Sequence, residues 1–191
     1  MSIDLSSPIV GQGGDHDAAL SYAYAHGASR YADLIDYADE LNRLCRLVGF
    51  DFRILFAQAW HETAGFTSHW WRARLNPAGI GITGDPAQNA ASHTWANGTD
   101  ASRAHVIHML AYTGKIVLSS DIPASYLDLD PRWQAVFDAG YAGTVKRLGD
   151  LGNGKWATDP NYATKIAAVA NRIFTEEPIG CWWPGDGRMT L

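Results

Sequence analysis

The chain has 191 residues, of which 47% are hydrophobic and 18% charged, a composition that suits one well-packed domain rather than two. Its formal net charge of −5 argues against a protein that binds nucleic acid or membranes through a basic surface. No apolar run approaches the roughly 18 to 20 residues of a membrane span, and the first residues lack the basic end and apolar core of a secretion signal. We therefore expect neither nucleic acid nor membrane as a partner, and delivery by another system if the protein acts outside a cell.

The chain begins with an arm, followed by two predicted helices. Residues 1–14 are rich in Ser, Pro and Gly and predict an extended arm, and the Ala-rich residues 15–26 predict a short helix that Gly27 ends. Residues 29–48 predict a longer amphipathic helix, which we expect to pack across the helix that follows it. Its apolar positions, spaced i, i+3, i+4 and i+7, are Leu34, Tyr37, Ala38, Leu41, Leu44, Cys45 and Val48.

The next stretch, residues 51–65, predicts a helix that carries a carboxylate on an apolar face. Asp51 is a natural N-cap and Gly65 a natural stop, so Glu62 falls in the last turn, in line with Gln58. Burial and the negative end of the helix dipole both disfavour the charged carboxylate and raise its pKa, as a general acid near neutral pH requires. An exposed carboxylate paired with a nearby arginine is the structural alternative.

After this helix the signals change from helix to turn. The Pro and Gly residues of 76–82 predict turns, with short strand character at 80–82. The polar residues 83–99 predict a loop or a small hairpin, which we call the wing. Asp100 then caps the next predicted helix, which spans 100–112.

Two Asp-Pro pairs open the last long helices, with Pro at the first helical position. The pair at 130–131 precedes a helix that runs towards Gly140, and a short helix follows at 144–148. The pair at 159–160 precedes the final helix. The sequence thus predicts an α+β, mostly α fold of six or seven helices with a small β or irregular wing.

The predicted organisation is a domain at 29–175, flanked by the segment 1–28 and by an aromatic tail, 176–191, that packs on the domain. Two cysteines, Cys45 in a helix and Cys181 in the tail, either pair or remain free thiols, and the sequence leaves both options open. We expect a monomer.

A series of short stretches, in order along the chain, carries a family resemblance. They read Ala-Gln-Ala-Trp-His-Glu-Thr at 57–63, Asn-Pro-Ala-Gly-Ile at 76–80, Ala-His-Val-Ile-His-Met-Leu-Ala-Tyr at 104–112, Leu-Asp-Pro-Arg-Trp at 129–133, Gly-Lys-Trp-Ala at 154–157 and Asp-Pro-Asn-Tyr-Ala-Thr-Lys-Ile at 159–166. Together they resemble the endo-β-N-acetylglucosaminidase family of peptidoglycan hydrolases, which has a lysozyme-like fold. The resemblance implies an enzyme that cleaves the β-1,4 bond between N-acetylglucosamine and N-acetylmuramic acid in bacterial glycan strands.

The resemblance also implies which residues form the site. Glu62 matches the general acid, the Asn-Pro-x-Gly-Ile stretch lies along the sugar-binding cleft, and late aromatic residues complete that cleft. The implied substrate-binding residues are Gln58, Asn76, Gly79, Ile80, Trp95, Trp156 and Tyr162. Flat indole faces stack on sugar rings, so we expect about two of Trp70, Trp71, Trp95 and Trp156 in a cleft and the others in the core.

A second catalytic carboxylate is the point at which the sequence departs from some branches of that family. Those branches carry a Glu in the wing, and residues 83–99 contain none. Asp85 is the candidate base, whereas Asp100 suits a helix cap better. Three routes stay open: Asp85 as a distant base in an inverting reaction, participation of the substrate's own N-acetyl group, or a weakened or lost activity. We favour the first two over a covalent intermediate.

Other chemistries fit the sequence less well, and it implies no metal and no cofactor. A zinc peptidase helix needs a second His four residues after His61, where Gly65 stands. His105 and His108 are three apart on a helix, but no third ligand has motif spacing, so we interpret both as structural. A nucleophile elbow and a phosphate-binding glycine motif are absent from the sequence.

Two classes of function remain after this reading. The leading hypothesis is a peptidoglycan hydrolase with Glu62 as proton donor, either a glucosaminidase or, within enzymes, a muramidase or lytic transglycosylase. The alternative is a non-catalytic module that binds the cell wall or belongs to a phage particle, and the missing wing Glu supports it. In either case we expect the protein to act at the bacterial cell wall, as a phage-encoded protein or one delivered by another system.

Overall fold

The computed structural model describes residues 2–11, 13–82, 93–152 and 154–175, and most of these are helical, as predicted. The seven α-helices found there are α1 (His16–Ala25), α2 (Tyr31–Val48), α3 (Phe52–Glu62), α4 (His69–Arg74), α5 (Gly98–Thr113), α6 (Trp133–Asp138) and α7 (Tyr162–Thr175). Shorter 3-10 helices span Ala124–Leu129 and Leu148–Leu151. The described residues form isolated β-bridges but no strand.

Helix α5 is the centre of the core. Every residue at positions 104–113 is buried, because this stretch is apolar or small nearly all round and other helices surround it. Helix α2 packs along one side of α5, while α3 packs chiefly on α7. Helix α2 also contacts α3, as predicted, but its main partner is α5, which the sequence did not indicate.

Helix α3 begins at the predicted cap, Asp51, and ends before the predicted stop at Gly65, with Thr63 as its C-cap, so Glu62 lies in the last turn as predicted. The Asp51 carboxylate accepts a hydrogen bond from the Arg53 amide (3.0 Å) and pairs with the Arg53 guanidinium (2.6 Å). Phe52, Leu55 and Phe56 anchor the first turns in the core. Glu62 is the last helical residue, so its side chain leaves the helix where the core meets the surface.

The N-terminus of α5 differs from the prediction. Its cap is Asn97, whose side-chain oxygen accepts from the Asp100 amide (2.8 Å), whereas Asp100 lies in the first turn and pairs with Arg103 (3.1 Å). A cap one turn earlier lets Gly98 approach α2, where a Cβ would come within 1.8 Å of the Asp33 carbonyl oxygen. The start of α5 is thus set by this close approach, which the sequence did not indicate.

Two further expectations for local structure were wrong. Residues 80–82 form a turn rather than a strand, because Gly79 and Gly81 both have positive φ angles (61° and 70°). The helix expected at 144–148 is replaced by irregular chain with a β-bridge at Arg147, followed by the 3-10 helix Leu148–Leu151. Most of the wing, residues 83–92, lies outside the described residues.

The N-terminal arm is extended, as predicted, but it packs into the same core as the rest of the chain. Ile3 and Ile9 are buried, and bridges join Pro8 to Arg147 and Val10 to Phe50. The side chain of Asn171, in α7, accepts from the Ile3 amide (2.7 Å) and donates to its carbonyl (2.8 Å). Residues 2–11 are thereby tied to the first and the last parts of the domain.

Two remaining expectations concern thiols and membranes. Cys45 is buried in the core with its thiol free, and its possible partner Cys181 lies outside the described residues, as does the whole segment 176–191. Within the described part of the chain, none of the helices combines the length and the apolar character that crossing a bilayer needs.

Candidate active site

Glu62 lies at the end of α3 with two hydrogen-bond donors on one of its carboxylate oxygens. The Tyr162 hydroxyl, from α7, donates to Oε1, and the Trp156 indole nitrogen donates to the same oxygen at 3.3 Å. Burial raises the pKa of Glu62, and the two hydrogen bonds and the nearby His61 offset part of that rise. The raised pKa agrees with the expectation for a general acid, with burial as the largest cause.

A line of buried hydrogen bonds leads away from Tyr162 into the core. The Gln58 amide nitrogen donates to the Tyr162 hydroxyl at 3.1 Å, and the Gln58 oxygen pairs with His105 Nε2 at 3.0 Å. His105 Nδ1 in turn pairs with the Tyr37 hydroxyl at 2.7 Å. We call these five side chains, from Tyr37 to Glu62, the buried relay.

The donors and acceptors of the buried relay have one consistent direction. The Gln58 oxygen can only accept, so His105 carries its proton on Nε2 and accepts from the Tyr37 hydroxyl on Nδ1. Burial lowers the pKa of His105 to about 3, which keeps its imidazole neutral. Because Tyr162 already accepts from Gln58, its single proton points at Glu62. The relay therefore fixes the orientation of the hydroxyl that binds the acid.

The other carboxylate oxygen of Glu62 faces the turn that follows α4. A Cβ built on Gly79 would lie 3.3 Å from Oε2, and Gly79 has a φ of 61°, so only a glycine fits there without strain. The Asn76 side chain holds this turn, since its oxygen accepts from the amides of Ala78 (3.3 Å) and Ile80 (3.0 Å) and its nitrogen donates to the Ile80 carbonyl (3.0 Å). Oε2 thus meets backbone rather than a bulky side chain.

A cleft of about 250 Å³ opens beside this turn. Its walls are the turn 78–82, residues of α6 and the chain just after it, and a cluster of aromatic, histidine and cationic side chains. That cluster is His108, Tyr112, Arg132, Tyr141, Lys155 and Trp156. Gly79 and Trp156 belong both to the cleft and to the surroundings of Glu62, so the acid lies at the edge of the cleft.

Trp156 is held in the cleft by rings from α5. Its indole lies edge-on to His108 at 4.9 Å and 5.1 Å from Tyr112. The fully buried Asp130 pairs with His108 Nδ1 at 2.9 Å, which fixes the imidazole against the indole. His105 and His108 are thus structural, as interpreted from the sequence, and the described residues contain no cluster of three possible metal ligands.

Three of the residues predicted to bind substrate are buried. Gln58 is fully buried within the relay, Asn76 is 1% exposed, and Trp95 is 5% exposed with its indole nitrogen on the Leu129 carbonyl (2.8 Å). Their polar atoms form hydrogen bonds within the protein, and direct contact with substrate stays a prediction. Gln58 and Asn76 position Tyr162 and the turn at Gly79.

The remaining predicted residues fall in three groups. Gly79, Ile80 and Trp156 line the cleft, and the largely buried Tyr162 reaches the site through its hydroxyl. Asp85, the candidate base, lies outside the described residues. Of the other tryptophans, Trp71 is in the core and Trp70 lies under the Arg74 guanidinium (5.0 Å), so Trp156 is the one of the four that the cleft uses.

Sequence reasoning did not identify Tyr37, Arg132 or Lys155 as parts of the site's surroundings. Tyr37 and His105 stand at apolar positions of α2 and α5, where periodicity predicts only burial, and their pairing across 68 residues has no local signal. Arg132 does follow the second Asp-Pro pair and Lys155 does precede Trp156, so both lie inside stretches that carry the resemblance.

Comparison with known proteins identifies a family for the chain. The model of a glucosaminidase family, described as mannosyl-glycoprotein endo-beta-N-acetylglucosaminidase, matches residues 38–174. That span contains Glu62, the turn at Gly79, Trp156 and Tyr162. No curated protein and no solved structure matches the chain.

Proposed function

The chain belongs to the glucosaminidase family, and from that premise we propose that it cleaves the β-1,4 bond between N-acetylglucosamine and N-acetylmuramic acid in bacterial peptidoglycan. Family membership supports a glycoside hydrolase that acts on a glycan. The observation that carries the proposal is the setting of Glu62, a partly buried carboxyl whose pKa is raised by desolvation, at the edge of a cleft. Such an enzyme acts at the cell wall.

Glu62 donates its proton from Oε2. Oε1 already accepts hydrogen bonds from Tyr162 and Trp156, whereas Oε2 faces the glycine turn and the cleft beside it. In the first step the proton passes to the glycosidic oxygen and the bond from that oxygen to C1 of N-acetylglucosamine breaks. As Glu62 becomes negative, the two hydrogen bonds on Oε1 strengthen, so they stabilise the transition state more than the ground state.

A second group must stabilise the positive charge that develops at C1. None of the described residues that line the cleft is an Asp or a Glu, and the nearby Asp130 is fully buried against His108. We therefore favour attack by the carbonyl oxygen of the substrate's own N-acetyl group, or a distant base such as Asp85, over a covalent enzyme intermediate. In the acetamide route Glu62, now ionised, takes a proton from the water that completes hydrolysis.

A non-catalytic module that binds the cell wall is the second candidate. The lack of a second carboxylate beside Glu62 favours this candidate, since none of the described residues that line the cleft is an Asp or a Glu. Against it stands the cost of burying a carboxyl with a raised pKa, which an unused site has no reason to bear.

Mass spectrometry of glycan fragments separates these candidates. Purified peptidoglycan is incubated with the wild type and with Glu62→Gln, which keeps the shape of the side chain and removes the proton donor. We expect wild type to release muropeptides with N-acetylglucosamine at the reducing end, and Glu62→Gln to be slower by about 10² to 10⁴.

Other products would change the conclusion in stated ways. N-acetylmuramic acid or anhydro ends would keep Glu62 as the acid but make the enzyme a muramidase or a transglycosylase. A wild type that cuts nothing and still co-sediments with the wall would support the binding module. A glycoprotein with N-linked mannose-rich glycans, offered in parallel, tests the substrate that the family description names.

A further inference from the structure

The cleft beside Glu62 carries two cationic side chains. Arg132, just before α6, and Lys155, just before Trp156, line the same cavity of about 250 Å³. Among the residues that the structure describes, neither forms an ion pair, whereas Arg43, Arg53 and Arg103 are each bonded to a carboxylate within 3 Å. Two cationic residues therefore line a space large enough for part of a ligand.

The carboxylates closest to this space are already occupied. Asp130 pairs with His108 at 2.9 Å and accepts from the backbone amide of Arg132, also at 2.9 Å, and it has no exposed surface. Glu62 uses Oε1 for Tyr162 and Trp156. The described walls of the cleft thus contain no side chain that neutralises Arg132 or Lys155.

The charge of the cleft is opposite to that of the protein. The chain as a whole carries −5, yet the described side chains that line the cleft add two positive charges and no negative one. A concave surface with apolar walls concentrates the field of its charges, so this cleft attracts anions although the protein as a whole does not. The α6 side supplies such a wall through Ala135, Val136 and Ala139.

We propose that this cleft binds a carboxylate carried by the glycan, on the peptide attached to muramic acid or, where muramic acid carries no peptide, on its lactyl ether. The inference rests on the proposed function and names the part of the substrate that the site recognises. Arg132 and Lys155 bind the carboxylate, while the apolar wall accepts the methyl groups beside it. Lys155 is adjacent to Trp156, which bonds Glu62, so an anchored carboxylate fixes the glycan relative to the acid.

Charge-removing variants test the proposal by binding rather than cleavage. Arg132→Gln, Lys155→Gln and the double variant are made in a Glu62→Gln background, so that ligands stay intact. The probes are a muropeptide with free carboxylates and a neutral N-acetylglucosamine hexamer, and calorimetry gives the Kd of each. Lys146→Gln is the matched control, because Lys146 is exposed, lies outside the cleft and carries the same charge.

We expect each single variant to weaken muropeptide binding about threefold and the double variant about tenfold, the range for solvent-exposed charge pairs. Added salt should reduce the difference in muropeptide Kd between the Glu62→Gln parent and the charge-removing variants. The Kd for the neutral hexamer should stay unchanged. Arg132→Lys, which keeps the charge, should bind the muropeptide nearly as well as the parent. Thermal denaturation checks that each variant is folded.

Two results would overturn the inference: equal losses for the muropeptide and the neutral hexamer, or no loss for either. Both can be told apart from a failure of the proposed function. A wild type that cleaves no glycan but shows this charge-dependent binding would remove the hydrolase and leave the carboxylate site in place.

Discussion

The buried relay and the cleft meet at Glu62 but are built on opposite rules. In the relay, from Tyr37 through His105 and Gln58 to Tyr162, each side chain is almost fully buried and bonded to the next. In the cleft, Arg132 and Lys155 line the open space and form no ion pair with any residue that the structure describes. One region satisfies its polar groups internally, and the other leaves them for a ligand.

The difference shows how the site divides its tasks. Buried, mutually bonded side chains have one arrangement, which suits the group that must hold a proton in place. Exposed charges can rearrange around a ligand, which suits recognition. Glu62 belongs to both regions, with Oε1 on the relay and Oε2 towards the cleft. Changes on the relay side should therefore alter chemistry and stability, and changes on the cleft side should alter binding.

Among changes to the neighbours of Glu62, the largest effect should come from Tyr162→Phe, which removes the hydroxyl from Glu62 Oε1. A hydrogen bond to a charged group contributes roughly 1.5 to 3 kcal/mol, so kcat should fall about tenfold to a hundredfold. The bond lowers the pKa of Glu62, so its loss should raise that pKa further and move the alkaline limb of the rate profile to higher pH. Steady-state rates across pH measure both.

Tyr112→Phe provides the control for that variant. It removes a hydroxyl of the same kind, which donates to the Lys155 carbonyl at 3.0 Å rather than to Glu62. A shift of the alkaline limb in Tyr112→Phe, or none in Tyr162→Phe, would contradict the role given to Tyr162.

The next largest effect is on stability and comes from Gln58→Leu. The change leaves His105 Nε2 and the Tyr162 hydroxyl without their partner inside the core, which costs roughly 1 to 3 kcal/mol in the free energy of unfolding. Urea denaturation measures it. Tyr37→Phe cuts the relay at its far end and should cost less, with the pH profile of cleavage unchanged. Gln58→Leu, by contrast, should change the pH profile of cleavage. If both variants had the same pH profile as the wild type, the relay would not position Tyr162 against Glu62.

Gly79→Ala should disturb the boundary between the two regions. An alanine with a φ near 61° costs roughly 1 kcal/mol, and its Cβ would crowd Glu62 Oε2 at 3.3 Å. Gly27→Ala is the matched control, with a φ of 76° and no atom within 4 Å of the added Cβ. Both variants should lose similar stability in thermal denaturation, but cleavage should fall only in Gly79→Ala. Parallel losses of activity would mean that backbone strain alone is responsible.

A smaller effect concerns the stability of Glu62→Gln. Because the pKa of Glu62 is raised above its usual 4.5, the folded protein binds its proton more tightly, and stability falls as pH rises through the raised pKa. The variant lacks this cost. Its melting temperature should exceed that of the wild type near pH 8, and the difference should vanish below about pH 4. A constant difference at all pH values would mean that burial does not raise this pKa.

The last prediction is that the protonation of His105 does not change across the pH range in which the protein is studied. Its pKa of about 3 predicts one neutral tautomer, protonated on Nε2, throughout the range from about pH 5 to 8. Nitrogen NMR of the imidazole would show it. A proton on Nδ1 would reverse the direction of the relay.

The helices of the fold could largely be predicted from sequence, and the exceptions have local causes. The spacing of apolar residues predicted α2, and Asp51 as an N-cap predicted the start of α3. Both signals depend only on residues close in sequence. The start of α5 depends instead on the approach of Gly98 to α2, a tertiary contact. The turn at 80–82 read as a strand because its isoleucines favour strands, while two glycines in left-handed conformation decide the outcome.

The surroundings of Glu62 could be predicted in part, because an ionisable residue on an apolar helix face is unusual and stands out in the sequence. The hydrogen bonds of Gln58 and Asn76 could not be predicted, since the sequence does not tell a side chain that touches a ligand from one that holds its neighbour. His105 required knowledge of which helices meet, because its partners are 68 and 47 residues away.

The hydrogen bond between Tyr162 and Glu62 also dictates when the protein becomes competent. The two residues are 100 positions apart, and the bond between Asn171 and Ile3 spans 168. During synthesis the helix bearing the acid leaves the ribosome long before the helix that completes its surroundings, and contacts of such separation form late in folding. A nascent chain that stops before α7 holds Glu62 without its main donor. We therefore expect any activity that depends on Glu62 to appear only after α7 has been synthesised and has folded.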